Sequence, residues 1–417
     1  MILLTHPTGN TFSRALLGAL IERRILGLFA TTLAFSGRER WLEILPRGFR
    51  DECLRRKFDV PKGKLFSRPG KEIVRLAKGR IGLNGDVDAI YRDLDRALAD
   101  DLPALAREHL LTVVYAYEDG ACESFRRAQE LGLKRFYDLP IAYWDEGQRL
   151  LREEAKLWPD WAHTMPGLRD TGEKNARKTL EASLADVIVC PSRFVYDSLP
   201  SAFRGKAVVA EFGSPGNQGP RELHRSGEVL RVLFAGSMTQ RKGLADLFAA
   251  MKSLKRHKIE LTLMGSLMAP MEFYRRQFAD FVYEPPRPHQ EVLRLMDRCD
   301  VLVLPSIVEG RALVQQEAMS RGLAVIATPN AGAQDLLEDG RAGFLVPIRS
   351  PGLIAEKLVW MRENPAAFHE MKRAAFEKAS ALTWRGYTDK IMAAMDSFAQ
   401  QGRNAGTANV TSNNAHA

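Results

Sequence analysis

The sequence predicts an α/β protein made of two doubly wound parallel sheets that face each other across a cleft. Three observations carry this. Short, wholly apolar runs alternate with amphipathic stretches through the first half of the chain. Strands buried on both faces by crossover helices read this way, whereas half-exposed antiparallel strands alternate residue by residue. A cluster of helix and strand breakers, Phe212-Gly213-Ser214-Pro215-Gly216-Asn217-Gln218-Gly219-Pro220, then interrupts the pattern near mid-chain. Beyond it the alternation starts again. A length of 417 residues agrees with two or three domains at roughly 100–200 residues each.

Ile2–Thr5 is the first strand, followed by the turn His6-Pro7-Thr8-Gly9-Asn10 and a helix from Thr11 to about Arg24, with Leu16, Leu17, Leu20 and Ile21 at helical spacing. Strands follow at Leu28–Ala34, Leu111–Tyr115, Arg135–Tyr137 and Val187–Cys190, with a helix at Ala121–Leu131. After the breakers come strand Leu230–Phe234, helix Leu244–Leu254, strand Glu260–Met264, helix His289–Arg298, strand Val301–Leu304, helix Val314–Arg321 and strand Ala324–Ala327. The pattern gives an N-terminal domain over 1–220, a C-terminal domain over 221–383 and a closing helix over 384–400 that packs back towards the N-terminal domain. The tail 401–417, rich in Gly, Asn, Thr, Ala and Ser, is expected to be disordered.

Composition narrows the function. Hydrophobic residues at 45% and charged residues at 27% are ordinary for a soluble globular protein. The formal charge of +9 lies almost wholly in Arg38–Arg80, where 14 Lys or Arg face 6 Asp or Glu, a local net of +8. Such a segment suits an anionic membrane surface, or is a solvated basic face. No basic run is interleaved with aromatics, so nucleic acid is not an expected partner. Cys53, Cys122, Cys190 and Cys299 are isolated from one another, and the His residues form no HExxH-type pair, so neither a disulfide framework nor a metal site is expected. The apolar run Ile25–Phe35 is 11 residues long, short of the roughly 20 that span a bilayer. A cytoplasmic protein, peripheral at most on the inner membrane face, is the expectation.

Two segments of the second half point to a phosphate-bearing ligand. In Phe234-Ala235-Gly236-Ser237-Met238-Thr239-Gln240-Arg241-Lys242-Gly243 a strand ends at Gly236 and two cations stand where a helix begins. Glycine allows close backbone approach, and Arg241 with Lys242 can neutralise a diphosphate. In Glu309-Gly310-Arg311-Ala312-Leu313-Val314-Gln315-Gln316-Glu317-Ala318-Met319, a loop carboxylate and a helix carboxylate flank the start of a helix. The amides of Arg311, Ala312, Leu313 and Val314 there favour an anion, and the carboxylates can accept from sugar hydroxyls.

Glu309-Gly310 with Glu317-Ala318-Met319, then Gly322 and Val325-Ile326, resembles the signature of the retaining glycosyltransferases of family 4 (glycosyl transferases group 1), which have the GT-B fold of two Rossmann-like domains. Gly236–Gly243 resembles the first donor-binding loop of the same family, and the match runs over about Leu230–Pro347. The resemblance implies a metal-independent hexosyltransferase with a nucleotide-diphosphate-sugar donor and no cofactor. Its acceptor would be a glycan, a lipid-linked or a small molecule, in polysaccharide or glycoconjugate biosynthesis. Lys242 matches the lysine on the donor diphosphate, with Arg241 beside it. Glu309 matches the residue that holds hydroxyls of the transferred sugar, and Glu317 the one that holds the ribose. Gly236, Ser237 and the four amides complete the donor side. Ser237 departs from an arginine that many members carry, and Tyr117 stands where many have a histidine. Gly9 and Asn10, after the first strand, are expected to face the cleft; His6 either touches the acceptor or sugar or, as a lone histidine more often is, is structural. A catalytically silent domain that binds a nucleotide-sugar or a protein is the alternative.

Overall fold

The structure is a computed structural model and describes residues 1–35, 44, 50, 53–80, 85–215 and 228–397. The expected tail and parts of the basic segment, 38–43, 45–49, 51 and 52, lie outside the described residues.

The first sheet contains β1 (Ile2–Thr5), β2 (Leu26–Thr31), β3 (Leu65–Ser67), β4 (Val113–Tyr117), β5 (Lys134–Asp138), β6 (Val187–Cys190) and β7 (Ala207–Val209), in the order β3-β2-β1-β4-β5-β6-β7. The second contains β8 (Leu230–Ala235), β9 (Ile259–Met264), β10 (Val282–Glu284), β11 (Val301–Leu304), β12 (Ala324–Ala327) and β13 (Gly343–Leu345), in the order β10-β9-β8-β11-β12-β13. Every strand pair is parallel. In each sheet the order reverses beside its first strand, β1 against β4 and β8 against β11, which opens a crevice at the carboxyl ends there.

The strands form because their apolar runs are buried on both faces. All residues of β1, β2, β6, β11 and β12 are buried. β4 lies two residues beyond its predicted position, because Leu111 N closes the helix Val87–Glu108 by donating to Ala106 O at 2.9 Å and Thr112 N donates to Met1 O at 2.8 Å. Tyr117 is therefore the last strand residue and not part of the following loop. The strands β3, β7, β10 and β13, three residues each, were too short for a periodic signal.

The chain crosses between the sheets more than once. Trp161, just after the helix Trp144–Leu157, is buried in the core of the second sheet against Phe273, Phe248 and Tyr274 at ring-centroid distances of 4.9, 5.8 and 5.8 Å. Glu154 on that helix accepts from Gln240 Nε2 at 2.7 Å and from Arg349. In return Tyr387, Ile391, Met392 and Met395 of helix 384–397 enter the core of the first sheet. The breaker cluster is not a free linker at its start: Phe212 and Ser214 are buried, and Ser214 N donates to Leu382 O at 2.9 Å. Among the described residues no helix is long and apolar enough to cross a membrane.

Truncating a wholly buried indole leaves a cavity that its rigid aromatic neighbours fill only in part. Trp161→Ala should cost about 3–5 kcal/mol of stability, read as a lower urea midpoint.

Candidate active site

The cation corner is set by a turn that cannot be rearranged cheaply. After β8 the chain makes the short helical turn Gln240–Lys242, with Thr239 Oγ1 accepting from Arg241 N at 3.2 Å. Gln240 is buried: its Nε2 donates to Glu154 and Asp246, and its Oε1 accepts from Ala245 N at 2.8 Å. Gly243 closes the turn at φ 73°, where a Cβ would lie 2.0 Å from Pro305 O. The turn is thereby pressed against the exit of β11, and Arg241 O accepts from Ile307 N at 2.9 Å and Val308 N at 3.2 Å.

This brings both cations to Glu309. Lys242 Nζ lies 2.5 Å and Arg241 Nη1 3.1 Å from Glu309 Oε2, and Arg241 Nη1 also donates to Val308 O at 2.8 Å. Burial alone would raise the Glu309 carboxyl, but Arg241 and Lys242 override it and hold the pKa at about 2. The Lys242 ammonium is pulled below its ordinary value by burial, against the pull of Glu309. Two cations meet one carboxylate, so the corner keeps a net positive charge. Because the Glu309 pKa is depressed from 4.5, its stabilising contribution is complete above that pH and is lost as pH falls through about 2.

Opposite stands the helix Leu313–Ser320, which has no side-chain cap, so its first amides lack intrahelical acceptors. Of the four amides expected to meet an anion, that of Ala312 donates instead to Ala331 O at 3.3 Å; Leu313 and Val314 are the first two helical residues. The Arg311 side chain is fully buried, with Nε 3.2 Å from Gln316 Oε1 and Nη1 3.9 Å from Asp335 Oδ2. Glu317 Oε1 lies 3.1 Å from His289 Nε2, and this hydrogen bond raises the imidazole pKa.

The facing wall comes from the first sheet. Tyr117 packs its ring 4.4 Å from that of His6, and burial holds its hydroxyl well above the usual phenol range. His6 Nδ1 accepts from Gly9 N at 2.7 Å and Thr8 N at 3.2 Å, and burial drops its pKa to about 3, so the imidazole is neutral and shapes the turn. Phe12 stacks on Phe212 at 4.6 Å. Glu118 pairs with Lys178 at 3.1 Å, and Asp119, at φ 70°, donates its N–H to Glu181 at 2.9 Å.

These pieces enclose one cleft of ≈ 780 Å³. Of the residues singled out from the sequence, Lys242, Glu309, Tyr117, Gly236, Arg311, Ala312, Leu313, Val314 and Glu317 line it, and Arg241 reaches it through Glu309. Gly9, Asn10 and Ser237 do not line it. Asn10 is spent as the N-cap of the helix Thr11–Glu22, accepting from Ser13 N at 2.9 Å, and Gly9 lies under the Phe58 ring. The sequence reading missed Tyr91, Glu118, Asp119, Arg287 and His289. Arg287 and His289 follow β10, and the rule that ligands gather at strand carboxyl ends would have found them had that strand been recognised. Among the described residues no group of three or more His, Cys, Asp or Glu side chains is placed to hold a metal ion.

Residues 230–364, which supply the cation corner and both glutamates, match the family described as Glycosyl transferases group 1. D-inositol 3-phosphate glycosyltransferase of Corynebacterium efficiens is 26% identical over 77% of this chain and 85% of its own length. Among solved structures, sucrose-phosphate synthase from Thermosynechococcus elongatus superposes with a TM-score of 0.64 at 17% identity, covering 97% of this chain and 99% of that one. Anabaena Alr3699/HepE, solved in complex with UDP-glucose, gives 0.60 at 15% identity over 95% of this chain and 99% of that one. The two-sheet architecture is thus the GT-B fold of these glycosyltransferases.

The His289–Glu317 contact makes a signed prediction. Since the His289 pKa is raised, the contact stabilises the fold fully below the ordinary 6.5 and is lost as pH rises through the higher folded value. In an NMR titration His289 should ionise with a midpoint above 6.5, and Glu317→Gln should bring the midpoint back towards it.

Proposed function

We propose that this glycosyltransferase takes a sugar from a nucleoside-diphosphate-sugar held by the C-terminal domain. It transfers the sugar, with retention of anomeric configuration and without a metal ion, to an acceptor hydroxyl presented by the N-terminal wall. The observation that carries this reading is the convergence of Lys242, Arg241 and the uncapped start of the helix Leu313–Ser320 on one cleft, with Glu309 between them.

The chemistry follows from where charge grows. Breaking the anomeric C–O bond leaves an additional negative charge on the diphosphate. Donors fixed beforehand in a water-poor site stabilise that charge without reorganisation. Lys242 and the amides of Leu313 and Val314 are such donors, and Arg241 adds a second cation held by Val308 O and Glu309. Glu309, ionised at any working pH, is an acceptor for hydroxyls of the transferred sugar, and Glu317 for the nucleotide ribose. The UDP-glucose in the Alr3699/HepE structure supports a donor of this class. Tyr117, protonated throughout, packs where the acceptor would pass and serves as a hydrogen-bond donor or as part of the wall. The acceptor is a glycan, a lipid-linked or a small molecule of polysaccharide or glycoconjugate assembly. The buried free thiols Cys122, Cys190 and Cys299 suit a reducing, cytoplasmic setting.

Lys242→Ala should lower kcat by about 10²–10³-fold, the loss of one preorganised donor, while the variant keeps its melting temperature within a few degrees. Glu317→Ala should chiefly raise KM for the donor. Both are read as nucleoside diphosphate release from candidate nucleotide-sugars. A thermal-shift series with UDP and GDP should show one of them raising Tm; silence with every nucleoside diphosphate would sink the reading.

A further inference from the structure

The helix Gly70–Arg80 is turned inside out relative to an ordinary surface helix. Its buried contact is a charge: Glu72 is 1% exposed and is held by Arg56 Nη2 at 2.5 Å and by Arg75 Nη2 at 2.7 Å. Its outer face is apolar. Ile73 and Val74 are 52% and 53% exposed, and Gly70, Ala77 and Lys78 lie on the same face at helical spacing, all exposed. Lys71, also exposed, flanks it. The buried Arg56–Glu72 pair fixes this orientation, because turning the apolar face inwards would carry Glu72 away from Arg56.

The surroundings share this character. Six of the thirteen large hydrophobic side chains exposed among the described residues fall between Ile44 and Val87. The same stretch contains the Arg38–Arg80 excess of +8. Lys78 has no ion-pair partner among the described residues, whereas Lys71 pairs with Asp93 at 2.8 Å. The next helix, Val87–Glu108, packs against this one and sends Val87 and Tyr91 into the cleft, so the helix Gly70–Arg80 is a neighbour of the cleft lip.

We propose that the outer face of the helix Gly70–Arg80 docks on an anionic lipid surface, with Ile73 and Val74 seated at the headgroup boundary and Lys71 and Lys78 among the lipid phosphates. Aliphatic side chains flanked by lysines, a residue type depleted from the cores of protein–protein contacts, match an anionic bilayer interface better. Docking there holds the lip formed by Val87 and Tyr91 at the membrane, so that an acceptor hydroxyl carried by a lipid reaches the cleft without leaving the bilayer. That last consequence rests on the transferase reading; the docking does not.

The test is co-sedimentation of the full chain with vesicles of phosphatidylglycerol and phosphatidylcholine, against vesicles of phosphatidylcholine alone. The wild type should bind the anionic vesicles, bind less as salt is raised, and ignore the neutral ones. Ile73→Glu with Val74→Glu should weaken binding at least about tenfold. Leu110→Glu, a still more exposed apolar site at the opposite end of the sheet, should leave binding unchanged. Equal sedimentation of wild type with both vesicle types, or of the Ile73/Val74 variant with the wild type, overturns the proposal. Nucleoside diphosphate release from soluble donor, measured on the same variants, reports separately on the transferase reading and should stay at the wild-type rate.

Discussion

A carboxylate largely withdrawn from water stays ionised where cations meet it, and the floor of this cleft is arranged around that requirement of Glu309. Its two cations come from the loop after β8 and the carboxylate itself from the loop after β11. Those strands are neighbours in the sheet, Val232 beside Val301 and Leu233 beside Leu302, so the two loops leave the same edge side by side. Backbone bonds from Ile307 and Val308 to Arg241 O then hold them together. The positive charge is fixed before any ligand arrives, and Glu309 sets the positions of both cations while leaving one in excess. Electrostatic preorganisation of this kind is what a departing diphosphate needs.

The cleft has two walls only because the two domains approach at points where no side chain intervenes. A Cβ on Gly310 would lie 1.7 Å from Pro140 O, so glycine there lets the Glu309 loop meet the N-terminal domain backbone to backbone. Around it Ser192 Oγ donates to Gly310 O at 2.7 Å, Ala142 N to Glu309 O at 3.3 Å and Gln316 Nε2 to Phe212 O at 2.5 Å. Beside these polar contacts Ile307 and Val308 pack in an apolar cluster with Ala142, Leu150, Leu151 and Phe194. Other ties lie further out, in Trp161 and in helix 384–397, each buried in the core of the opposite sheet.

Much of the candidate site could be read from residue order because it lies on consecutive chain. Arg241 with Lys242 and Glu309 through Glu317 are local patterns, and local patterns at a strand's carboxyl end survive folding as written. The misreadings share one cause. Gly9 and Asn10 follow a strand end, as the donor residues do, but Asn10 O accepts from Arg14 N and its side chain caps the next helix, so the turn folds onto itself. Ala312 was expected to offer its amide to a ligand, and the carbonyl of Ala331, further along the chain, took it. His289 could not be connected to Glu317, 28 residues further on, because nothing in the sequence between marks them as neighbours.

The sequence by itself determined the fold class, since uninterrupted apolar runs separated by amphipathic helices can be buried only as parallel strands covered on both sides. It also determined which residue types would stand at the strand ends of the second domain. Only the tertiary structure decided that Trp161 of the first half belongs to the second core, that the breakers at Phe212 and Ser214 are buried, and that Glu72 rather than Ile73 faces inwards. The physical reason is the same in each case. Hydrophobic period is local, whereas the partner that satisfies a buried charge, an amide or an indole is chosen by proximity in space, which residue order does not contain.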